Sequence, residues 1–596
     1  MKKHWQILQP DTHSVEKISK SLQCSPVMAN ILVNRKISSP DDAGAFLNPL
    51  LKNMRPPFSI KDMDAAVNRI YSALLNHEKI LIFGDYDVDG ITATTILYEF
   101  LHYAGADASY YIPHRIKEGY GLHTKHITDY AIPNRINLII TVDCGSSSNN
   151  AVKEAQRAGI DIIITDHHEI SGKPPDAVAV LNPKRHDCTS GFDDLAGVGV
   201  AFFLLICLRK HLRDNNFWRR KTEPNLKNYC DLVALGTVAD MVPLVDENRM
   251  LVKTGLEVIN SGNQFGIRGG IKALIESSGI KNNFVDTEDV AFRLAPRLNA
   301  AGRIDHALTA VELLTTNNLE TAKQLARSLN NMNFKRHDIE QKIMEDIFEY
   351  LKNNQHLLKN SSLILADFAL MAATTESDNE PGDRWHEGVL GIVASRIVNK
   401  YFRPVVLIAV KNGIGKGSAR SIPGFNIYKG LESCSDHLEA FGGHSMAAGL
   451  KIKAEHMDMF RENFENAVKQ MTSPANFAQK ISIDYELSFD DISDALINEL
   501  ETLKPFGTGN HEPVFMAKNI KVIDSGIVGK NHRRMVLKQS AAGGTGKTIN
   551  AIHFNVDTGK NLRDNFDQMA FRLRWNHWNG KKTAQIVIED LAGTRD

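Results

Sequence analysis

Residues 84–90 read Gly84-Asp85-Tyr86-Asp87-Val88-Asp89-Gly90, three carboxylates spaced two apart and closed by a glycine. Aspartates this close repel one another unless solvated or neutralised, and a divalent cation with oxygen ligands is the usual neutraliser. The calcium-loop pattern D-x-[DN]-x-[DN]-G-x5-E runs in register with Asp85, Asp87, Asp89 and Gly90. It fails at the twelfth place, where Ile96 stands instead of a bidentate glutamate. The preceding Ile80-Leu81-Ile82-Phe83 also reads as a strand, not as an entering helix. A cation here needs ligands from elsewhere in the chain.

Two more strand-like runs end in suitable groups. Asp143 follows Ile139-Ile140-Thr141-Val142, and Asp166-His167-His168 follow Ile162-Ile163-Ile164-Thr165, while Asp240 follows the apolar run 232–238. Carboxylates with one or two imidazoles, and no thiolate in spacing, suit Mn²⁺ or Mg²⁺ better than structural zinc. There are enough of them for two ions. Two cations bridged by a shared carboxylate would activate a water and stabilise the leaving oxygen of a phosphoryl transfer. Any one of these aspartates alone reads equally as a helix N-cap or a turn former; all of them together do not.

Bringing these groups together requires the strand ends of one sheet. From residue 79 short β-branched runs alternate with helical periods: strand 79–83, helix 90–104, strand 136–142, helix 151–158, strands 161–165 and 177–181. The alternation predicts an α/β domain with a parallel sheet, whose carboxyl edge gathers groups distant in sequence. Residues 308–357 lack Gly and Pro and are rich in Leu, Glu, Lys and Gln, which predicts one or two long helices. A polar insert at 372–384 predicts a surface loop, followed by a β run at 404–410 and a Gly-rich segment at 441–449. From about residue 480, short runs at 481–485, 514–516, 534–537 and 583–588 predict a small barrel of short antiparallel strands.

Composition limits the partners. The 596 residues are 43% hydrophobic and 23% charged, an ordinary globular mixture sufficient for about three to five domains. Lys and Arg total 70 against 70 Asp and Glu, so a polyanion must be held locally and not by bulk charge. Cys24, Cys144, Cys188, Cys207, Cys230 and Cys434 form no C-x-x-C pair, which argues against a zinc ribbon or disulfide framework. Met-Lys-Lys-His-Trp at the start leads into polar sequence, and the longest apolar stretch, 198–208, is too short for a bilayer. A cytoplasmic protein without a membrane segment is expected. Gly543-Gly544-Thr545-Gly546-Lys547-Thr548 imitates a nucleotide loop, but G-x-x-x-x-G-K-[ST] requires glycine at 541, which is alanine. A hairpin, and no ATP dependence, is expected there.

Asp85-x-Asp87-x-Asp89-Gly90, Val142-Asp143-Cys144-Gly145, Asp166-His167-His168 and Ala239-Asp240 resemble the four motifs of the DHH phosphoesterase superfamily. Three further stretches narrow the resemblance: Leu294-Ala295-Pro296-Arg297-Leu298-Asn299-Ala300-Ala301-Gly302-Arg303, Phe441-Gly442-Gly443-His444 with Ala447-Ala448-Gly449, and Lys504-Pro505-Phe506-Gly507. They resemble the RecJ branch, single-strand-specific DNA exonucleases that work 5′ to 3′ in repair and recombination. The resemblance covers most of the chain, in order. It implies an N-terminal segment 1–48, a DHH catalytic domain 49–307, connecting helices 308–358, a second α/β domain of DHHA1 type at 359–472 and an OB-fold barrel at 473–596. It further implies that Asp87, Asp89, Asp143, His167 and Asp240 hold two Mn²⁺ or Mg²⁺ ions, with Asp143 bridging them. Asp85 and His168 complete the catalytic set, ligating, orienting a ligand or contacting a phosphate. The implied partners are single-stranded DNA, a helicase and a single-stranded-DNA-binding protein, with the chain itself a monomer.

An exonuclease must recognise an end, and a 5′-phosphate is best recognised by a fixed guanidinium with backbone donors. Arg115, in Ile112-Pro113-His114-Arg115, and Arg297 and Arg303, in the Gly- and Ala-bearing turn, resemble phosphate contacts of the family; each reads equally as a structural arginine. Gly417-Ser418-Ala419-Arg420-Ser421 and Gly442-Gly443-His444 combine small residues with donors, so that backbone amides can approach a phosphate. They read as a clamp of Ser418, Arg420, Gly442 and Gly443 with His444 over the scissile phosphate, the alternative being a buried structural His444. The stretch Phe571-Arg572-Leu573-Arg574-Trp575, continuing to Lys581-Lys582, interleaves rings and cations and is taken as a base-stacking surface, although its alternation also suits the inside of a barrel. Two rival functions remain. DHH relatives cleave short oligoribonucleotides, cyclic dinucleotides or pyrophosphate, against which the chain length and added barrel argue. Others are replication scaffolds with decayed motifs, against which the intact acidic set argues.

Overall fold

The computed structural model describes residues 3–170, 172–261, 267–280, 284–367, 385–540, 546–557, 562–578 and 581–593. The chain forms two compact units, one of Met1–Met54, Pro243–Lys253 and Gln479–Asp596, the other of Arg55–Val242 and Thr254–Ala478. The predicted insert at 372–384 and most of the glycine-rich hairpin, 541–545, lie outside the described residues.

The larger unit begins with the predicted parallel sheet. Strands β1 (Lys79–Gly84), β2 (Asp107–Tyr111), β3 (Leu138–Val142), β4 (Asp161–Thr165) and β5 (Ala179–Leu181) pair in the order β2-β1-β3-β4-β5, all parallel. Leu81, Phe83, Ile139 and Ile164 share a core with Ala151, Val152 and Ala155 of a flanking helix, and the alternate residues Ile80, Ile82, Ile140 and Ile163 are just as buried. Burial on both faces is why these strands read as continuous apolar runs. The chain passes from β1 outward to β2, then returns to β3 on the other flank of β1. A parallel sheet opens a crevice where its strand order reverses in this way, at the carboxyl ends of β1 and β3.

Four helices shape that crevice: α1 (Val88–Ala104), α2 (Asn149–Arg157), α3 (Gly197–Asp214) and α4 (Cys230–Asp240). The first starts two residues before the predicted position because Asp87 is its N-cap, accepting hydrogen bonds from the backbone N–H of Asp89 at 3.0 Å and of Gly90 at 3.2 Å. Gly90 is required by close approach, since a Cβ there would meet the backbone of Asp85 at 2.6–2.8 Å.

Beyond the sheet come α5 (Ala295–Ile304), α6 (Leu308–Thr315) and α7 (Leu319–Asn353), the last being the long connecting helix of 35 residues. A second sheet follows, of β6 (Leu363–Ala366), β7 (Val405–Lys411), β8 (Ile414–Arg420), β9 (Ala440–Gly443) and β10 (Ala447–Lys453), in the order β9-β10-β8-β7-β6. Only β6 and β7 run parallel. Helix α8 (Glu387–Tyr401) covers it, with Val389, Val393, Ala394 and Ile397 packed into the core of Val405, Leu407 and Ile408.

The smaller unit is a closed barrel of β11 (Phe515–Val528), β12 (His532–Gln539), β13 (Thr548–His553), β14 (Asn565–Trp578) and β15 (Lys581–Ala592), in the order β11-β12-β13-β15-β14 with β14 returning to β11. The strands are longer than predicted and β13 runs parallel to β15. Ile18, Met28, Ile31 and Leu32 of the N-terminal segment enter the same core. The base-stacking expectation for 571–575 is corrected here. Phe571 and Leu573 are core residues, Arg572 and Arg574 both pair with Glu512 at 3.4 and 2.6 Å, and Trp575 donates its indole N–H to Asn498 at 3.0 Å. Barrel closure turns Phe571 and Leu573 inward, so these two side chains are spent on packing, while the Trp575 ring stays half-buried with Lys582 Nζ 4.2 Å from its centroid. No helix among the described residues is long and apolar enough to cross a membrane.

Candidate metal centre and phosphate pocket

At the reversal point the acidic groups converge as the sequence suggested. Ligand atoms of Asp85, Asp87 and Asp143 lie within 4.8 Å of one another, and so do those of Asp89, His167 and Asp240, and those of Asp143, His167 and His168. Asp143 belongs to two of these groups and His167 to two, so they form one continuous centre. The His167 Nε2 atom is 3.1 Å from Asp143 Oδ1, 3.6 Å from Asp240 Oδ2 and 3.7 Å from Asp89 Oδ2.

The ligands reach the centre from several elements. Asp85 and Asp143 follow β1 and β3, while His167 and His168 follow β4. Asp89 lies in the first turn of α1 and also caps α3, accepting the Gly197 N–H at 2.6 Å and the Val198 N–H at 2.9 Å. Gly197 permits this contact from both sides, because a Cβ there would sit 2.7 Å from the Asp143 side chain. Asp240 is the last residue of a helix, α4, followed by Met241 in the left-handed region. A carboxylate at a helix C-terminus meets the negative end of the dipole, so it needs a cation nearby.

The electrostatics point the same way. Burial first, and then the charges of neighbouring aspartates, hold Asp85, Asp89 and Asp143 well above the usual carboxylate range and raise Asp240 to about 6. Burial and the neighbouring His168 lower His167 to about 3, so its imidazole is neutral. Both His167 ring nitrogens, Asp85 Oδ1 and Asp143 Oδ1 are buried without a hydrogen-bond partner among the described residues. Buried polar atoms are ordinarily paired; neutral imidazole and clustered carboxylate oxygens without partners fit divalent cations.

Asp166 plays another part, one the sequence reading left unassigned. Its Oδ1 accepts the His167 and His168 backbone N–H groups at 2.8 and 3.1 Å and lies 2.8 Å from His168 Nδ1, while Oδ2 accepts the Ser146 N–H at 2.9 Å. These four contacts spend the carboxylate on orienting the histidines. Against burial, which would lower it, the hydrogen bond and charge of Asp166 raise His168 to about 9. Tyr120 adds a hydroxyl that donates to the Asp143 carbonyl at 3.0 Å and lies 3.0 Å from His168 Nδ1. The His444 ring stacks on His168 with centroids 5.5 Å apart and planes at 23°. His444 sits exposed in the turn between β9 and β10, its N–H bonded to Ala447 O at 2.7 Å, so the buried alternative is excluded.

Of the four candidate arginines, three gather. The Arg115 guanidinium lies over the Tyr86 ring at 4.7 Å. Burial, then Arg115, Arg420 and Arg336, lower Arg303 to about 9, and burial with Arg115 lowers Arg420 to about 10. Arg303 donates to Gly388 O at 3.0 Å, and Arg420 to Ser418 Oγ at 3.2 Å and Ala419 O at 2.8 Å. Among the described residues neither has a carboxylate within hydrogen-bond reach, so crowded cations face a space suited to a dianion. Arg297 is elsewhere, bonded to Arg293 O, Asn330 Oδ1 and Ser278 O at 2.6, 3.0 and 3.4 Å. The predicted turn is helix α5, on which positions 297 and 303 face different sides, so Arg297 bonds to Arg293, Asn330 and Ser278 and does not join the other three. Asn299, between them, accepts the Val88 N–H at 3.2 Å and ties α5 to the acidic loop.

A parallel sheet that collects acidic and imidazole ligands at its reversal point, joined by a long helix to a glycine-rich second sheet, defines a phosphoesterase of the DHH type. The corresponding family models match in order: DHH family, N-terminal domain over residues 79–237, DHHA1 domain over 367–470, and RecJ OB domain over 483–590. The single-stranded-DNA-specific exonuclease RecJ of Bacillus subtilis (strain 168) is 34% identical over 99% of this chain and 71% of its own length. That of Salmonella typhimurium is 35% identical over 95% of this chain and 96% of its own. The crystal structure of RecJ in complex with Mn²⁺ from Thermus thermophilus matches with a TM-score of 0.81 at 27% identity, covering 100% of this chain and 80% of that one. The chain belongs to the RecJ family of DHH proteins.

Proposed function

We propose that this chain is a metal-dependent exonuclease that hydrolyses single-stranded DNA from the 5′ end and releases nucleotides. The observation that carries it is the set of overlapping ligand groups sharing Asp143 and His167 beside a cluster of three arginines. Asp85, Asp87, Asp89, Asp143, His167 and Asp240 would hold two Mn²⁺ or Mg²⁺ ions, with Asp143 common to both. Such ions supply a strong nucleophile at neutral pH and neutralise charge on the phosphate and the leaving oxygen.

The chain's own groups do the rest. Asp166 keeps His168 protonated, so that its free ring N–H can donate to a non-bridging oxygen of the scissile phosphate. His444, stacked on it, closes the same phosphate from the second sheet with the backbone of Gly442 and Gly443. Arg115, Arg303, Ser418 and Arg420 receive the 5′-terminal phosphate, and that fixes which bond meets the acidic centre. Within the same proposal the chain works as a cytoplasmic monomer on strands supplied by a helicase or covered by a single-stranded-DNA-binding protein, in repair and recombination. Its domains are divided near residues 48, 307, 358 and 472.

Single strands labelled at either end, digested with Mn²⁺, Mg²⁺ or chelator, test the assignment. Early release of the 5′ label in either metal, and none in chelator, is expected. Release of the 3′ label first, or digestion in chelator, would refute it.

A further inference from the structure

Two pocket arginines rest against two glycines, Gly388 and Gly391, on a single turn of helix. Helix α8 starts after His386, whose ring accepts the Gly388 N–H at 3.2 Å. Gly388 O holds Arg303, as described. One turn on, a Cβ at Gly391 would lie 2.6 Å from Arg420 Nη2, 3.0 Å from Ser418 Oγ and 3.3 Å from Arg420 Cζ. Residues three apart share a helix face, so both glycines floor the pocket.

Nothing in the backbone requires glycine at 391. It lies inside a regular helix, outside the left-handed region, where alanine is the better helix former. Its missing side chain is explained by what lies across it. The helix is also held in place: Arg396, five residues further along α8, pairs with the buried Glu340 of α7, which accepts Arg336 Nη1 at 2.7 Å. The floor beneath Arg420 is therefore fixed relative to the connecting helix.

We propose that Gly391 is a positioning residue for recognition of the 5′-terminal phosphate, setting the height at which Arg420 and Ser418 lie in the pocket. This rests on the assignment of Arg420 to that phosphate. In Gly391→Ala the nearest atoms to the new methyl belong to side chains, the far end of Arg420 and the Ser418 hydroxyl. The fold can absorb it by swinging the guanidinium aside.

The test compares initial rates on one single strand bearing either a 5′-phosphate or a 5′-hydroxyl, in Mn²⁺, for wild type, Gly391→Ala and Arg420→Ala. Wild type should prefer the phosphate and Arg420→Ala should lose that preference. Gly391→Ala should lose about tenfold of it, the size expected for one weakened charge-assisted hydrogen bond. The loss should appear as a raised KM on the phosphorylated strand, with kcat, the rates on the hydroxyl strand and the melting temperature kept. If Arg420→Ala loses the preference while Gly391→Ala keeps it, the positioning role fails alone. If Arg420→Ala keeps it, the pocket assignment falls and this proposal with it. Equal slowing on both strands with a lower melting temperature would make Gly391 an ordinary packing glycine and overturn the proposal.

Discussion

Replacing Asp87 by Asn separates two tasks that one side chain performs. As the N-cap of α1 it accepts two backbone N–H groups, at 3.0 and 3.2 Å, and asparagine caps about as well as aspartate. As a charge it raises Asp85, Asp89, Asp143 and Asp240. Its ligand atom lies within 4.8 Å of those of Asp85 and Asp143. At an effective dielectric of about 20, each fully ionised pair at that distance costs about 3 kcal/mol. Asp85 and Asp143 already escape part of this by holding protons, which leaves about 1–2 kcal/mol recoverable by the substitution. Metal-free Asp87→Asn should therefore melt about 1–2 °C above metal-free wild type. Asp87→Ala, which also loses a cap worth about 1 kcal/mol, should fall below Asp87→Asn. Activity should move the opposite way, with Mn²⁺-dependent release of end label down at least about a hundredfold in both variants. Thermal melts in chelator and a Mn²⁺ titration of label release measure the two effects. A chelated Asp87→Asn that melts below wild type would refute the electrostatic reasoning, and full Mn²⁺ activity would refute the ligand assignment.

Two further outcomes are expected. Burial lowers His126 from 6.5 to about 4, so between these values the unfolded chain binds a proton that the folded chain excludes. Stability should fall as pH drops through that window, by up to about 3 kcal/mol, and less so in His126→Gln; equal pH dependence of the urea midpoints would contradict this. Phe571→Ala should destabilise the barrel by about 3–5 kcal/mol, because the ring is fully buried. Single-strand affinity of the folded protein should be unchanged, and lost affinity at an unchanged melting temperature would return that ring to the DNA-binding surface.

Much of the sheet was legible because its signals are local. Strand 161–165 was read to the residue, and the runs ending near Phe83, Val142 and Leu181 were recognised, since strands buried on both faces are apolar without interruption. Strand starts were less certain: 136–142 begins at Leu138 because the first residues of the run belong to the approach to the sheet. The helix after the acidic loop began early because an N-cap looks the same in sequence as a ligand. Asp87 is the first and is proposed to be both.

The residue types and their places at strand ends were determined by the sequence alone, as were the long connecting helix and the presence of a barrel. Which groups meet was decided by tertiary structure. Asp240 comes from the end of a helix, where an apolar run of seven residues does not distinguish helix from strand. Arg297 and Arg303 stand six residues apart in one motif, but at 3.6 residues per turn they face different sides of α5. One is anchored against α7 and the other on the first turn of α8. Phe571, Leu573 and Trp575 alternate as either face of a strand would, and only closure of β14 on β11 turns the first two inward. Gly391 gave no signal at all, because the space it leaves is defined by Arg420 and Ser418 on a strand that is its neighbour only after folding.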